Sequence, residues 1–225
     1  MKRLLMILFA LMLCIPAALA EEGADPITGQ TTIVGQQDSF LYIHQYIAPN
    51  GKPLYFTAEL PDPPITLADV NFDGYQDVVV LTIDGASNAY FEFYVYDPAT
   101  DAYQWVWHPG MEEGLANYQL YPAQGVVTAH ANNGAAGALH EDYLYAWEGN
   151  ELKLIRSIIA EDLTVTEYDA RKIVTTIYDG VLHITVRDHQ AEEETILWEQ
   201  TVLMEEADFN EIFAKEEELL WQGIK

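Results

Sequence analysis

The chain has 225 residues, 36 acidic against 10 basic, and a formal net charge of −26. That charge excludes nucleic acid as a partner and disfavours anionic membrane surfaces, while attracting cations and basic proteins. A hydrophobic content of 50% excludes the usual acidic disordered chain and leaves room for one large or two small domains.

Met1-Lys2-Arg3 is a charged start, Leu4 to Ile15 an apolar stretch, and Ala18-Leu19-Ala20 a small-x-small cleavage site. Residues 1–20 therefore read as a secretory signal peptide, too short for a comfortable membrane span. The residues before Cys14 do not suit lipidation. The expected product is secreted, periplasmic or on the cell surface, with no integral membrane span after cleavage. Loss of Lys2 and Arg3 leaves 8 basic and 36 acidic residues, a formal charge of −28. Cys14 is the sole cysteine, so no disulfide can hold the mature chain.

Residues 21–225 are expected to form one β-rich domain, with its core over 54–160. Glu21 to Gln30 is a leader. Thr31 to Val34, Phe40 to Ile47 and Leu54 to Leu60 are strand candidates, and Pro61-Asp62-Pro63-Pro64 stops the last of them. The sharpest signal comes next, at Asp69-Val70-Asn71-Phe72-Asp73-Gly74-Tyr75-Gln76-Asp77. Asp69, Asn71 and Asp73 put oxygen-bearing side chains at positions 1, 3 and 5 of a tight loop. Gly74 stands at position 6, where a calcium loop turns sharply. Tyr75 would offer its backbone carbonyl and Asp77 would close the shell. Calcium takes six to eight hard oxygens at about 2.3–2.6 Å, and this set supplies most of them. Position 12 is Val80, not the bidentate glutamate of an EF-hand, and a valine strand follows in place of a helix.

Asp77 to Ile83 reads as a central strand. Ala89 to Tyr96 puts Phe91, Phe93 and Val95 on one face and Tyr90, Tyr94 and Tyr96 on the other. Tyr103 to Trp107 returns as its hairpin partner. Gly125 to Ala131 is a strand, and residues 132–138 form a small-residue loop. Asp142 to Glu148 pairs with Glu151 to Ile159 through Gly149-Asn150. Further strands are expected over 165–168, 172–178, 181–187 and 195–203, with Asp179-Gly180 as a hairpin turn. Glu206 to Gly223 carries Phe209, Ile212, Phe213, Leu219, Leu220 and Trp221 near helical spacing. Residues 161–225 thus add hairpins and one C-terminal helix, a candidate subdomain. The fold class is mainly β: antiparallel sheets, sandwich-like or partial-propeller-like, with that single helix.

The Asp-x-Asn-Phe-Asp-Gly-Tyr-x-Asp loop and its strand resemble the calcium loops of FG-GAP (integrin-α-like) repeats. With Tyr90 to Asp97 and Tyr143 to Leu152, the order of motifs over 54–159 resembles exported bacterial calcium-binding β proteins related to lysozyme inhibitors. Some members of that family act as immunity proteins. The resemblance implies a calcium held by Asp69, Asn71, Asp73, Tyr75 and Asp77. It also implies a loop that blocks the cleft of a lysozyme-like peptidoglycan hydrolase. His130, Asn132, Asn133, Gly134 and His140 are the candidate partner residues, chosen by their place in the small-residue stretch. A basic hydrolase suits the acidic charge.

No Gly-x-Ser-x-Gly elbow, zinc-spaced histidines or mature cysteine nucleophile is present, so the expectation is a binding protein, not an enzyme. His140-Glu141-Asp142 reads as a solvated loop entering a strand. Glu192 to Glu194 and Glu216 to Glu218 read as solvated faces. Trp105 with Trp107, and Tyr143 with Tyr145 and Trp147, share strand faces. Each group is either sheet core or a carbohydrate platform. A cell-surface carbohydrate- or peptidoglycan-binding module is therefore the alternative function.

Overall fold

The computed structural model describes residues 31–37, 39–163, 180–191 and 193–224. The signal peptide, the leader, the strands expected over 165–168 and 172–178, and Asp179 of the hairpin turn lie outside the described residues.

The fold is mainly β: the described residues form three antiparallel sheets, none of them closed into a barrel. The first sheet holds β1 (Thr32–Gln36), β2 (Tyr42–Ile47) and β3 (Pro53–Ala58). The second holds β4 (Ile65–Ala68), β5 (Asp77–Asp84), β6 (Ala89–Asp97) and β7 (Ala102–Trp105), with β8 (Leu115–Ala116) paired to β6. The third runs in chain order through β9 (Gln119–Tyr121), β10 (Val126–Gly134), β11 (Leu139–Glu148), β12 (Glu151–Asp162), β13 (Val181–Asp188) and β14 (Thr195–Leu203). One helix among the described residues, α1 (Phe209–Leu220), follows.

The valines of β5 explain the stacking. A strand sends alternate side chains to opposite faces, and four consecutive β5 residues, Asp77 to Val80, are buried. Val78, Val80 and Tyr94 pack with Tyr46, Phe56 and Ala58 of the first sheet region. Val79, Phe93 and Val95 pack with Val127, Tyr143 and Tyr145 of the third sheet. The second sheet is therefore covered on both faces. The far face of the third sheet packs Leu144, Ile158, Ile184 and Val186 against Ile212, Leu219 and Leu220 of α1. The result is four layers: sheet, sheet, sheet, helix.

The tyrosine and phenylalanine faces of β6 separate as expected from residue 93 onward. At its start, a register shift around Thr82 of β5 interrupts the pairing, and Tyr90 and Phe91 pack on the same cluster. The stretch expected as a loop over 132–138 is shorter. β10 continues to Gly134, and only Ala135–Gly137 forms a 3-10 turn. β13 and β14 extend the third sheet, so Val181–Asp188 and Thr195–Leu203 share a sheet with β9 to β12.

Asp208 caps α1 by accepting from the amides of Asn210 and Glu211. At the other end the buried Arg156 of β12 does the opposite job. Its Nη1 donates to the carbonyls of Leu219 (2.9 Å) and Gln222 (3.0 Å), and its Nη2 to Asp188 Oδ2 (3.0 Å). Phe213, expected on the core face, is 41% exposed, while Glu216, expected in solvent, is buried. Three consecutive helical residues span about 200°, so Glu216, Glu217 and Glu218 cannot all face water once Ile212 and Leu219 face the sheet.

His108 lies in the core between the second and third sheets, its ring edge-on to Phe93 at 5.9 Å. Burial lowers its pKa from 6.5 to about 4. His44, stacked on Phe56, is lowered for the same reason, against the pull of the Leu60 backbone and the Asp62 charge. The unfolded chain therefore takes up protons first. The contribution of neutral His108 is whole above pH 6.5 and is lost as pH falls towards 4. That gap is worth about 3 kcal/mol. Thermal melts between pH 7 and 4 should show a shallower acid slope for His108→Leu than for the parent chain.

Candidate calcium loop and partner surface

The loop from Asp69 to Asp77 joins β4 to β5, with Ala68 and Asp77 paired at the base. Its side chains fold inward onto its own amides. Asp69 Oδ1 accepts from Asp73 N (3.0 Å) and Oδ2 from Gly74 N (2.9 Å). Asp73 Oδ1 accepts from Tyr75 N (2.9 Å), and Asn71 Oδ1 from Asp73 N (3.2 Å). Asn71 Nδ2 also donates to Asp73 Oδ2 (2.9 Å) and to Asn150 in the β11–β12 turn (3.4 Å). The winding needs left-handed backbone at Phe72 (φ 63°) and Gly74 (φ 88°). Glycine takes that conformation without penalty, and a phenylalanine does not. Phe72 is held by packing on the core cluster beneath.

Asp77 lies apart from the other four. It is 0% exposed; Oδ2 accepts from Val70 N and Oδ1 from Tyr96 N, both at 2.9 Å. Burial pushes its carboxyl up to about 6, against the pull of the Tyr96 and Val70 amides, with nearby Asp73 and Asp69 adding to the rise. Each oxygen of Asp77 is thus already bonded to an amide, and the side chain ties the loop to β6.

The donor chemistry fits a hard cation. Asp69, Asp73 and the Asn71 and Tyr75 carbonyls are all oxygen donors, and none of the lysine, arginine or histidine ion pairs among the described residues involves this loop. No group of three or more histidine, cysteine or carboxylate side chains among the described residues is already gathered as a metal site. Asp69, Asn71, Asp73 and Tyr75 would hold calcium, whose contribution would be to neutralise and brace the loop.

The candidate partner residues separate by exposure. His130 and Asn133 are exposed, with His130 Nδ1 2.9 Å from Asp142 Oδ1 and Asn133 Nδ2 3.0 Å from Glu141 Oε1. Asn132 is pinned by Asn88, which accepts from its amide (2.8 Å) and donates to its carbonyl (3.1 Å). Gly134 N donates to Asn132 Oδ1 (3.0 Å). His140 is buried, so it stands behind the surface and not on it. His140-Glu141-Asp142 belongs to β11, which starts at Leu139, where a solvated loop entering a strand at Asp142 was expected.

The aromatic groups also part company. Tyr143 and Tyr145 are core, stacked at 6.1 Å, with Tyr145 Oη donating to the Pro109 carbonyl. Trp105 and Trp107, by contrast, are 47% and 51% exposed at the edge of the second sheet, with ring centroids 5.9 Å apart. Alternation gives the face they share, but only the arrangement of layers shows that face is open there.

Ser157, unremarkable in the sequence, bonds His189 Nε2 through its hydroxyl (2.8 Å), and His189 Nδ1 is 3.8 Å from Glu194 Oε2. Ser157 is buried in mid-strand, paired with Tyr143 on one side and Arg187 on the other. Its hydroxyl is accounted for as a satisfied core group.

No family model matches the chain, and no curated protein matches it. Among solved structures it is similar to a Xanthomonas type IV secretion system related protein. The two are 14% identical, with 78% of this chain and 97% of that one covered and a TM-score of 0.44. A likeness of that size carries no argument about what the chain does.

Proposed function

We propose that this chain is an exported calcium-loop protein that binds and blocks a lysozyme-like peptidoglycan hydrolase. The observation that carries the reading is the Asp69–Asp77 loop. It gathers hard oxygens at a left-handed glycine turn, without a protein cation to neutralise them. The partner half rests on the resemblance of the motif order and on charge. A chain at −28 without its signal peptide attracts a basic hydrolase and speeds encounter at low salt. His130 and Asn133, exposed beside Asp142 and Glu141, are the contact residues of this reading.

The test is inhibition of a panel of peptidoglycan hydrolases by the mature protein, with calcium and with chelator. Stoichiometric, calcium-dependent inhibition of one class is expected. Asp73→Ala is expected to lose the calcium-dependent part of thermal stability, at affinities as weak as about 10⁻⁴–10⁻³ M. Identical melts of mutant and parent, with and without chelator, would remove calcium from the reading.

The exposed Trp105 and Trp107 favour a second reading, a carbohydrate- or peptidoglycan-binding module. Soluble monomers rarely leave large aromatic surface open without use. Glycan binding that Trp107→Ala abolishes, with no hydrolase inhibited, would select it.

A further inference from the structure

His140 sits where β10, β11 and α1 meet, and its two ring nitrogens face different tasks. Nδ1 is 3.1 Å from the Gly137 carbonyl. A carbonyl only accepts, so Nδ1 carries a proton. Nε2 then faces two carboxylates, Asp142 Oδ2 and Glu216 Oε2, each at 3.4 Å. Asp142 is two residues along β11 and shares its face, while Glu216 comes down from α1. A neutral ring protonated on Nδ1 would turn its lone pair towards both anions. A second proton, on Nε2, makes the same geometry attractive.

The surroundings leave little water to soften that choice. The side chains of His140 and Glu216 are 4% and 5% exposed. Glu216 Oε1 is buried without a hydrogen-bond partner, so His140 is the cation this carboxylate meets. From β10, His130 Nδ1 holds the other oxygen of Asp142 at 2.9 Å. Phe213 closes the top, edge-on to the His140 ring at 5.8 Å.

We propose that His140 is a protonation latch. As an imidazolium it ties α1, through Glu216, to the third sheet, while Nδ1 donates to the Gly137 carbonyl in either state; loss of the Nε2 proton loosens α1. Burial alone would lower its pKa. The bond and charge of Glu216, the charge of Asp142 and the Gly137 carbonyl outweigh it and raise the pKa above 6.5. The latch is therefore fully closed below pH 6.5 and opens as pH rises through the folded value.

The test is an NMR titration of His140 together with amide exchange of α1, from about pH 6 to about pH 8.5, in chelator. His140 is expected to titrate above 6.5, with α1 protection falling as it does. In Glu216→Gln the titration should drop and α1 protection should stop following it. Titration of wild-type His140 at or below 6.5, or α1 protection flat across it, would overturn the latch. So would coupling that is present with added zinc and absent in chelator, since the cation would then be a metal.

Discussion

Asp77→Ala is expected to destabilise the protein by about 2–6 kcal/mol, at about 1–3 kcal/mol for each buried donor left without a partner. The donors are Val70 N and Tyr96 N, both 2.9 Å from this one carboxylate. Losing it frees the start of the loop after β4 and unties the loop from β6 together. The loss should be of equal size in calcium and in chelator, measured by urea denaturation. That separates Asp77 from Asp73, whose alanine variant should lose more in calcium than in chelator, where only its exposed bonds to Tyr75 N and Asn71 Nδ2 are missing. Asp77→Asn keeps one accepting oxygen and should lose about half as much, by the same per-donor cost. If the cost of Asp77→Ala appeared only in calcium, its role would be ligand and not clamp.

Arg156→Ala should cost about 3–5 kcal/mol, the range for breaking a buried charged pair by removing one partner. Arg156 joins three things distant in sequence: Asp188 at the end of β13, and the Leu219 and Gln222 carbonyls at the end of α1. Those carbonyls have no further turn of helix to receive them, and a cation there also meets the negative end of the helix dipole. The expected signature is loss of α1 amide protection ahead of global unfolding. Arg156→Lys should recover only part of it, because an ammonium cannot reach the helix end and Asp188 with a planar fork. A loss under about 1 kcal/mol, the scale of an exposed pair, would refute the clamp.

The parts of the fold that could be read from sequence are those with many repeats of one period. β5, β6, β10 to β14 and α1 are long enough for alternation or helical spacing to register. β4, β8 and β9 hold two to four residues each, too few for any period. The Asp69–Asp77 loop is legible because its spacing is local. Asp77 is legible as a member of that loop, but its inward turn depends on Tyr96, which pairing brings alongside. The clusters around His140 and Arg156 join residues far apart in the chain, so no local pattern announces them. One clue to Glu216 was present: Ile212, Glu216, Leu219 and Leu220 stand at i, i+4, i+7 and i+8, one face of a helix. The exposed tryptophans show the complementary limit. Alternation says which residues share a face, but not whether another layer covers it.

The four layers stack in the order in which the chain makes them. Each sheet is built mainly from neighbours in sequence, with β8 reaching back to β6 as a local exception. Long loops therefore need not close before most strands can pair, which favours faster folding than distant strand pairing would. As the chain emerges from its N-terminal side, each finished layer offers an apolar template to the next. α1 comes last and covers the far face of the third sheet. Assembly can thus proceed as a directional zipper, with the C-terminal helix as its final tooth.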